Sequence, residues 1–478
     1  MSRRTVAPDI ALARLLAVIA GQKTGCAVSS IQAALDGSTF LDPITVSQAA
    51  HLMLVASSDI NAHIKRVRAD LREKNLDPKQ CYQQGAASMR VQRALIICFL
   101  DLLTQVTHEE YEQLDLFATL LHQLFIHLGS LQMWCYTTYH EVPKKFWQEL
   151  NQAYHYVSLL ELEKHGFFEL SKVGKSSVSL TQRYLAIVML NAANTSRFSL
   201  QQIIQLQSLL QSWTAYLNLH NPANAADLLW ISGDTDEGPL YQVLVDEQRR
   251  IANEGLSIDT LHLIETLEAL QANASVGIKW EGEEIAAGFI DALLLSWRSK
   301  PVRRYTRQAQ QQGTIRLLPE NLMQPAEDMA GVREWQIINT SPDGYCLSTH
   351  YANGSEIRIG SLVKIQEVGE AVDSVWQLGV VRWLKHDDAE MLVMGVQLIA
   401  GKMTRVEVMN QQQHASAILL PRTPRMATET ILLRTDMAHS GDELVVASGN
   451  EKSLIQLGAE LDKGADFSVY HFHTSRLQ

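Results

Sequence analysis

Cysteine is scarce in this 478-residue chain and never closely paired: Cys26, Cys81, Cys98, Cys135 and Cys346 are the only five. An odd, scattered set with no C-x-x-C excludes a disulfide framework and a thiolate zinc site, and points to a reducing, cytoplasmic setting. Long apolar runs are also missing. The longest clean one, Ala94–Leu100, stops at Asp101, well short of the ~20 residues that cross a membrane, so no integral membrane protein is expected. The N-terminal Ser2-Arg3-Arg4 precedes an apolar stretch at Ala11–Ala20, but Asp9 and Arg14 interrupt it and it reads as an amphipathic helix. Positive charge is in deficit, with 41 Lys and Arg against 52 Asp and Glu and a formal net charge of −11. That balance argues against a general nucleic-acid binder, which presents a basic surface.

Catalytic and metal-binding spellings fail on their spacing. Gly174-Lys175-Ser176 ends like a phosphate-binding loop, but the earlier glycine it needs is Glu169, and it reads as a helix-to-helix turn. His386-Asp387 lies in a polar stretch between two strand-like runs, as a solvated hairpin tip with no companion histidine in range. His108-Glu109-Glu110 and His140-Glu141 lack the H-E-x-x-H spacing that puts two ligands on one helix face. His471 and His473 alternate on a terminal strand without carboxylate or cysteine company. No nucleophile–base pair or paired carboxylates can be argued from spacing. The chain reads as no enzyme, with no metal.

What is present divides into a helical front and a β back. From residue 8 to about 298 the periodicity is helical, with capping-box pairs at Thr45/Gln48 and Ser199/Gln202. Ile203, Leu206, Leu210, Trp213 and Leu217 form one apolar face, and Phe146, Leu150, Tyr154 and Leu159 suggest another. Breaks fall at Gly37–Pro43, Asn75–Gly85, Gly166–Ser177, Asn218–Pro239 and Asn273–Gly282. With no fixed repeat, this predicts an all-α helical-hairpin array or bundle over 1–298.

From Trp335 the pattern turns to short β-branched and aromatic runs. Gly360–Ile365, Val375–Trp383 and Met394–Ile399 each sit near a glycine, as strands of a small antiparallel barrel over 299–412. Trp376 and Trp383 on these strands read as core. Five further runs, Ala417–Leu420, Thr430–Leu433, Glu443–Ala447, Ser453–Gly458 and Phe467–Phe472, predict a small C-terminal β unit over 413–478. The fold class is α+β multidomain.

Where the halves join, Arg298, Lys300, Arg303, Arg304 and Arg307 fall within ten residues that contain no acid. Arg303 and Arg307 are in R-x-x-x-R spacing. Asn339-Thr340-Ser341-Pro342-Asp343-Gly344 follows as N-x-S-x-x-G at the start of the β region. Guanidinium forks grip phosphate oxygens or the O6/N7 edge of guanine, and stack on purines. Asn339 supplies both donor and acceptor, Ser341 a short hydroxyl, and Gly344 a close approach of backbone. In this order, with the glycine-bearing strands behind them, the motifs resemble the PilZ family of receptors for cyclic di-GMP, over about residues 297–405.

The resemblance implies a β-barrel that presents the N-x-S-x-x-G strand to one side of cyclic di-GMP while the arginine segment wraps the other. Arg303 and Arg307 would contact guanine and phosphate, Arg304 would add charge, Asn339 and Ser341 would meet guanine edge and phosphate, and Gly344 would leave room. Ordering of 299–312, joined to a helix expected over 283–298, would reorient the halves and alter a protein contact made by the helical domain. The C-terminal unit carries neither motif. Two rival readings are an interaction scaffold whose barrel has lost its ligand, and an oligonucleotide-binding barrel, which the acidic balance disfavours.

Overall fold

The computed structural model describes residues 46–475 except 74–77, 107–113, 172–173, 222, 225–226, 234, 243–254, 273–277, 299–307, 310–312, 321–330, 351–353, 355–356, 369–375, 388–390, 401–402, 411–412, 422–428, 436, 449–450 and 465–466. The chain divides into two compact units, the first Met1–Thr195 and Leu200–Val302, the second Arg303–Gln478 with Ser196–Ser199. The helix expected over Ala11–Ala20 and the Thr45 cap lie outside the described residues.

The first unit holds α1 (Val46–Glu73), α2 (Pro78–Val106), α3 (Leu114–Thr137), α4 (Phe146–Leu159), α5 (Leu180–Ala192), α6 (Leu200–Trp213), α7 (Leu261–Ala272) and α8 (Ala287–Arg298). Its hub is α3, which packs against α1, α2, α4, α5 and α6. This helix is apolar almost all round, long enough and apolar enough on average to cross a membrane. Fifteen of its 24 residues are buried in the unit, so here the composition is that of a core helix. Its buried histidines are held neutral. Burial, reinforced by Arg183 and His165, lowers His122 to about 3, and burial alone lowers His127 to about 4. His122 stacks on Phe167 and His127 meets the Ser57 hydroxyl at 2.7 Å.

The expected face of α6 is buried as Ile203, Leu206, Leu210 and Trp213, with Leu217 buried one 3₁₀ turn beyond. On α4, Phe146, Leu150 and Tyr154 are buried but Leu159 is 58% exposed. At 100° per residue, Val157 returns to within about 20° of Phe146, whereas Leu159 lies about 220° round. Val157 therefore takes the core position. A capping box forms at Ser179/Gln182: the Ser179 hydroxyl accepts from Gln182 N–H (3.2 Å) and the Gln182 side chain accepts from Ser179 N–H (2.8 Å).

The front is helical as expected, but three of its breaks carry short strands instead of plain turns. β1 (Gly166–Ser171) pairs with β2 (Gly174–Ser179). β3 (Asn218–His220), β4 (Leu229–Ile231), β5 (Leu240–Tyr241) and β6 (Leu256–Asp259) form a sheet in the order β3-β6-β4-β5. β7 (Ile278–Trp280) pairs with β8 (Glu283–Ile285). Consequently α8 starts at Ala287, and the helix expected from 283 begins with a strand instead. Gly174-Lys175-Ser176 opens β2, and the next helix begins only at Leu180, so no helix N-terminus stands ready for a phosphate.

The second unit contains two barrels. In the first, β10 (Thr314–Pro319), β11 (Arg333–Ser341), β12 (Gly344–His350), β13 (Leu362–Glu367), β14 (Gln377–His386) and β15 (Met391–Ala400) run in the order β10-β13-β14-β15-β12-β11, and β10 pairs with β11 to close the ring. A short β9 (Gln308–Ala309) lies on the same edge of β11 as β10, opposite Asn339 and Thr340. The second barrel is a closed ring of β16 (Thr404–Met409), β17 (His414–Leu420), β18 (Thr430–Arg434), β19 (Glu443–Ser448), β20 (Glu451–Lys463) and β21 (Phe467–Ser475). The C-terminal strands thus form their own barrel. It begins at Thr404, so the expected boundary at 412/413 falls between its first two strands.

Alternation explains how the barrels adhere. Ala417, Ile431, Leu433 and Tyr470 fill the second barrel, while Ile418, Leu420, Leu432, Phe467 and Val469 point outward and bury against Leu362, Leu378 and Val380 of the first. Beside this shared core the Glu320 carboxylate, its side chain 3% exposed, holds Lys364 (2.6 Å) of the first barrel and Arg405 (2.5 Å) of the second. A fully buried side chain of this size contributes about 1.5–3 kcal/mol, so the apolar contact outweighs the ion pairs.

Candidate ligand-binding site

Ser341 pairs with Gly344, so Pro342 and Asp343 form a two-residue loop between β11 and β12. Pro at the second and Gly at the fourth turn position suit a tight turn. The Leu398 N–H donates to the Asp343 carbonyl (2.8 Å), pinning the turn to β15, and the Ser341 hydroxyl faces the Gly344 carbonyl at a long 3.4 Å.

Gly344 has a strong structural reason of its own. Its φ is +157°, and a Cβ there would sit 1.9 Å from the Val396 carbonyl oxygen of the neighbouring strand. A side chain is therefore excluded by the sheet itself, whatever lies on its surface.

A β-bulge aims the motif. Trp335 and Ile337 are buried in the barrel, and strict alternation would send residue 339 to the same side. The register slips between Ile337 and Asn339, making Ile338, 41% exposed, the extra residue. Asn339 then faces Cys346, and Ser341 faces Gly344, on the outer surface of the sheet. Both motif side chains are half-buried. The inward neighbour Thr340 pairs with Tyr345, whose hydroxyl donates to Glu367 (2.7 Å) and whose pKa is raised by burial and then by that carboxylate.

Asn339, Ser341 and Gly344 are thus brought onto one hairpin. Arg303, Arg304 and Arg307 lie outside the described residues. The chain re-enters description at Gln308, immediately after Arg307, and there it pairs with Thr340, between Asn339 and Ser341.

The remaining candidates are structural. His386, expected to be solvated, is the buried last residue of β14. Asp387 behind it closes the hairpin, its carboxylate accepting from Met391 N–H at 2.8 Å. His140 stacks on Tyr82 and its Nδ1 meets the Thr138 carbonyl at 2.8 Å. His108 lies outside the described residues. His471 rests against Gly458 with His473 5.5 Å away, ring to ring. Among the described residues no group of three metal-ligating side chains occurs. Trp376 and Trp383 are half-buried rather than core, and the Trp383 indole occupies the space where Gly395 lacks a side chain.

A family model described as the middle PilZ domain of the cyclic-di-GMP receptor FimW matches residues 320–404, and one for that receptor's N-terminal domain matches residues 10–224. The segment 320–404 is thus similar to a PilZ domain. The PilZ match corresponds to the first barrel from Glu320 onward and ends where the second begins. A curated relative, the cyclic-di-GMP receptor FimW of Pseudomonas aeruginosa, is 21% identical over 62% of this chain. This chain covers 61% of that relative's length, less than two thirds.

Proposed function

We propose that this protein is a PilZ-type receptor for cyclic di-GMP, with Arg303, Arg304, Arg307, Asn339, Ser341 and Gly344 as its site. The observation that carries the reading is the pairing of Gln308 with Thr340: the residue next to Arg307 is seated between the two polar side chains that the bulge turns outward. Arginine forks arriving at that edge would close on a ligand lying across Asn339 and Ser341. Arg303 and Arg307 take guanine and phosphate, and Arg304 adds charge. The matched family descriptions support the same ligand.

The functional division we propose is a helical domain over 1–298, a ligand barrel with its arginine segment over 299–403, and a motif-free barrel over 404–478. The protein acts in the cytoplasm as a non-enzymatic receptor, needs no metal, and passes the signal to a protein partner through the helical domain. Ligand orders the part of 299–312 that leads into the already paired Gln308–Ala309; 303–312 is polar throughout apart from Tyr305 and Ala309 and has little apolar area with which to order alone.

Calorimetry with cyclic di-GMP tests the reading. Micromolar or tighter binding is expected, about −8 kcal/mol. No heat at hundreds of micromolar ligand would move the chain to the scaffold class. Amide exchange then tests the switch: 299–312, outside the already paired Gln308–Ala309, becomes protected on binding, and unchanged exchange there with ligand bound would refute the clamp.

A further inference from the structure

Within the helical unit, α1, α3, α5 and α6 converge on a cavity of about 260 Å³. That is the share of about nine waters at ~30 Å³ each, room for a small organic molecule rather than a single ion. Its rim is polar: Lys65 and Gln211 are exposed, and Asn61 and Gln207 are half-buried beside them. Arg183 of α5 adds a second cation, while Phe125, Ile187 and Leu210 supply buried apolar wall. Among the described residues no Asp or Glu lines it, so the cavity is electropositive in a chain of net charge −11. Burial lowers the Arg183 guanidinium to about 10, a shift that a bound anion would oppose. The floor supplies an independent observation. Gln132 is 0% exposed, and its Nε2 donates to the Ile187 carbonyl at 2.9 Å and to the Tyr136 hydroxyl at 3.3 Å. The first bond fixes the amide, because reversing it would set two oxygens against each other. Its Oε1 is buried and accepts no hydrogen bond among the described residues. An acceptor shut away from water without a donor is costly, and a bound group that offers one removes that cost.

We propose that this cavity binds a small organic anion: a carboxylate with an apolar body and a hydroxyl or amine donor. The carboxylate lies towards Lys65 and Arg183, the body packs on Phe125, Ile187 and Leu210, and the donor reaches Gln132 Oε1. Such a ligand would tie α1, α3, α5 and α6 together from inside. The site lies wholly in the helical unit and stands apart from the cyclic di-GMP reading.

The test is a ligand-observed NMR titration of the full chain with 4-hydroxybenzoate, which has all three features. The controls are 4-hydroxybenzamide, which lacks the charge, and benzoate, which lacks the donor. Millimolar or tighter binding of 4-hydroxybenzoate is expected, with the amide about 10-fold weaker or more and benzoate about 3- to 10-fold weaker. Ala186→Phe puts a ring into the cavity and should abolish binding. Lys65→Met should weaken binding about 3- to 10-fold with an unchanged melting midpoint, and since Lys65 is exposed it reads the site even if Ala186→Phe fails to fold. No binding of 4-hydroxybenzoate at tens of millimolar overturns the proposal. So does equal affinity for the amide, or undiminished binding in Lys65→Met or in a folded Ala186→Phe, which would place the probe elsewhere. Benzoate binding as tightly as 4-hydroxybenzoate removes the donor, and with it Gln132, from the proposal.

Discussion

The two barrels of the β half have the same number of strands and the same inward alternation, but they use their outer surfaces differently. In the second barrel the outward Ile418 and Leu420 of β17, Leu432 of β18, and Phe467 and Val469 of β21 are apolar, and they are consumed in packing. In the first, the same packing covers β13 and the start of β14, after which bulges at Ile338 and Arg382 turn polar side chains outward on the part left over. Bulges alone do not make a site, since β20 of the second barrel also slips register around Glu460. What distinguishes the slips of the first barrel is where they fall: one seats the Trp383 indole over Gly395, and the other lies beside the β11–β12 turn that carries Ser341 and Gly344. A common barrel can therefore serve as scaffold or receptor according to what its outer face offers.

The sharpest way to break this comparison is at the glycines. Gly344→Ala places a methyl on the Val396 carbonyl, and only a shift of β12 from β15 can relieve it. A loss of about 3–4 kcal/mol in stability is expected, read by denaturant titration. Gly441 in the second barrel has φ +94°, but a methyl there would meet nothing within 4 Å, so Gly441→Ala should cost only about 1 kcal/mol. Equal costs would mean that the close strand approach at the motif is not what demands glycine.

Next in size are the arginines. Arg303→Ala or Arg307→Ala should each remove about 2–4 kcal/mol of cyclic di-GMP binding, because each removes a charge-assisted fork from a partly desolvated anion. Melting should not change. A collapsed melting midpoint would show these arginines to be structural, and the first barrel would then resemble the second more than its motif suggests.

Much of this is legible in the sequence because short β runs beside glycine are strong local signals. Gly360–Ile365, Val375–Trp383, Met394–Ile399 and the five later runs each meet a strand. What stays hidden depends on partners. Thr404–Met409 falls inside the span expected for the first barrel, and only its pairing with β17 and β19 assigns it to the second. The strand at Thr314–Pro319 follows a polar stretch, well ahead of Trp335, where the β pattern first becomes clear. At the site, spacing discloses Asn339, Ser341 and Gly344, yet no periodicity rule reveals the slip at Ile338 that puts the first two on the outer face. A tryptophan on a barrel strand reads as core because it usually is, and the slip at Arg382 moves Trp383 outward.

The joint between the barrels gives the third prediction. Glu320→Gln leaves Lys364 and Arg405 without their shared carboxylate, and both cations are about one-fifth exposed. Partial access to water lowers the penalty below that of a fully buried broken pair, to about 2 kcal/mol of stability. Ligand affinity should hold, since the cluster sits at the packing side of the first barrel. A large loss of affinity without loss of stability would instead tie the second barrel to the site.

The smallest expected effect on the fold separates turn from ligand most cleanly. Ser341 occupies the first position of the β11–β12 turn, where a serine often stabilises the loop. Here its hydroxyl is 3.4 Å from the Gly344 carbonyl, near the limit of a hydrogen bond, and it is half-buried on the outer face. Removing it should therefore change stability by no more than about 0.5 kcal/mol. Binding should respond more, by about 1–2 kcal/mol, because a hydroxyl facing a phosphate or guanine edge makes a hydrogen bond to a charged or desolvated acceptor. Ser341→Ala measured both by denaturation and by calorimetry reads the two terms separately. A variant that loses stability and keeps affinity would make Ser341 a turn residue, and the polar outer face of the first barrel would then begin at Asn339 alone.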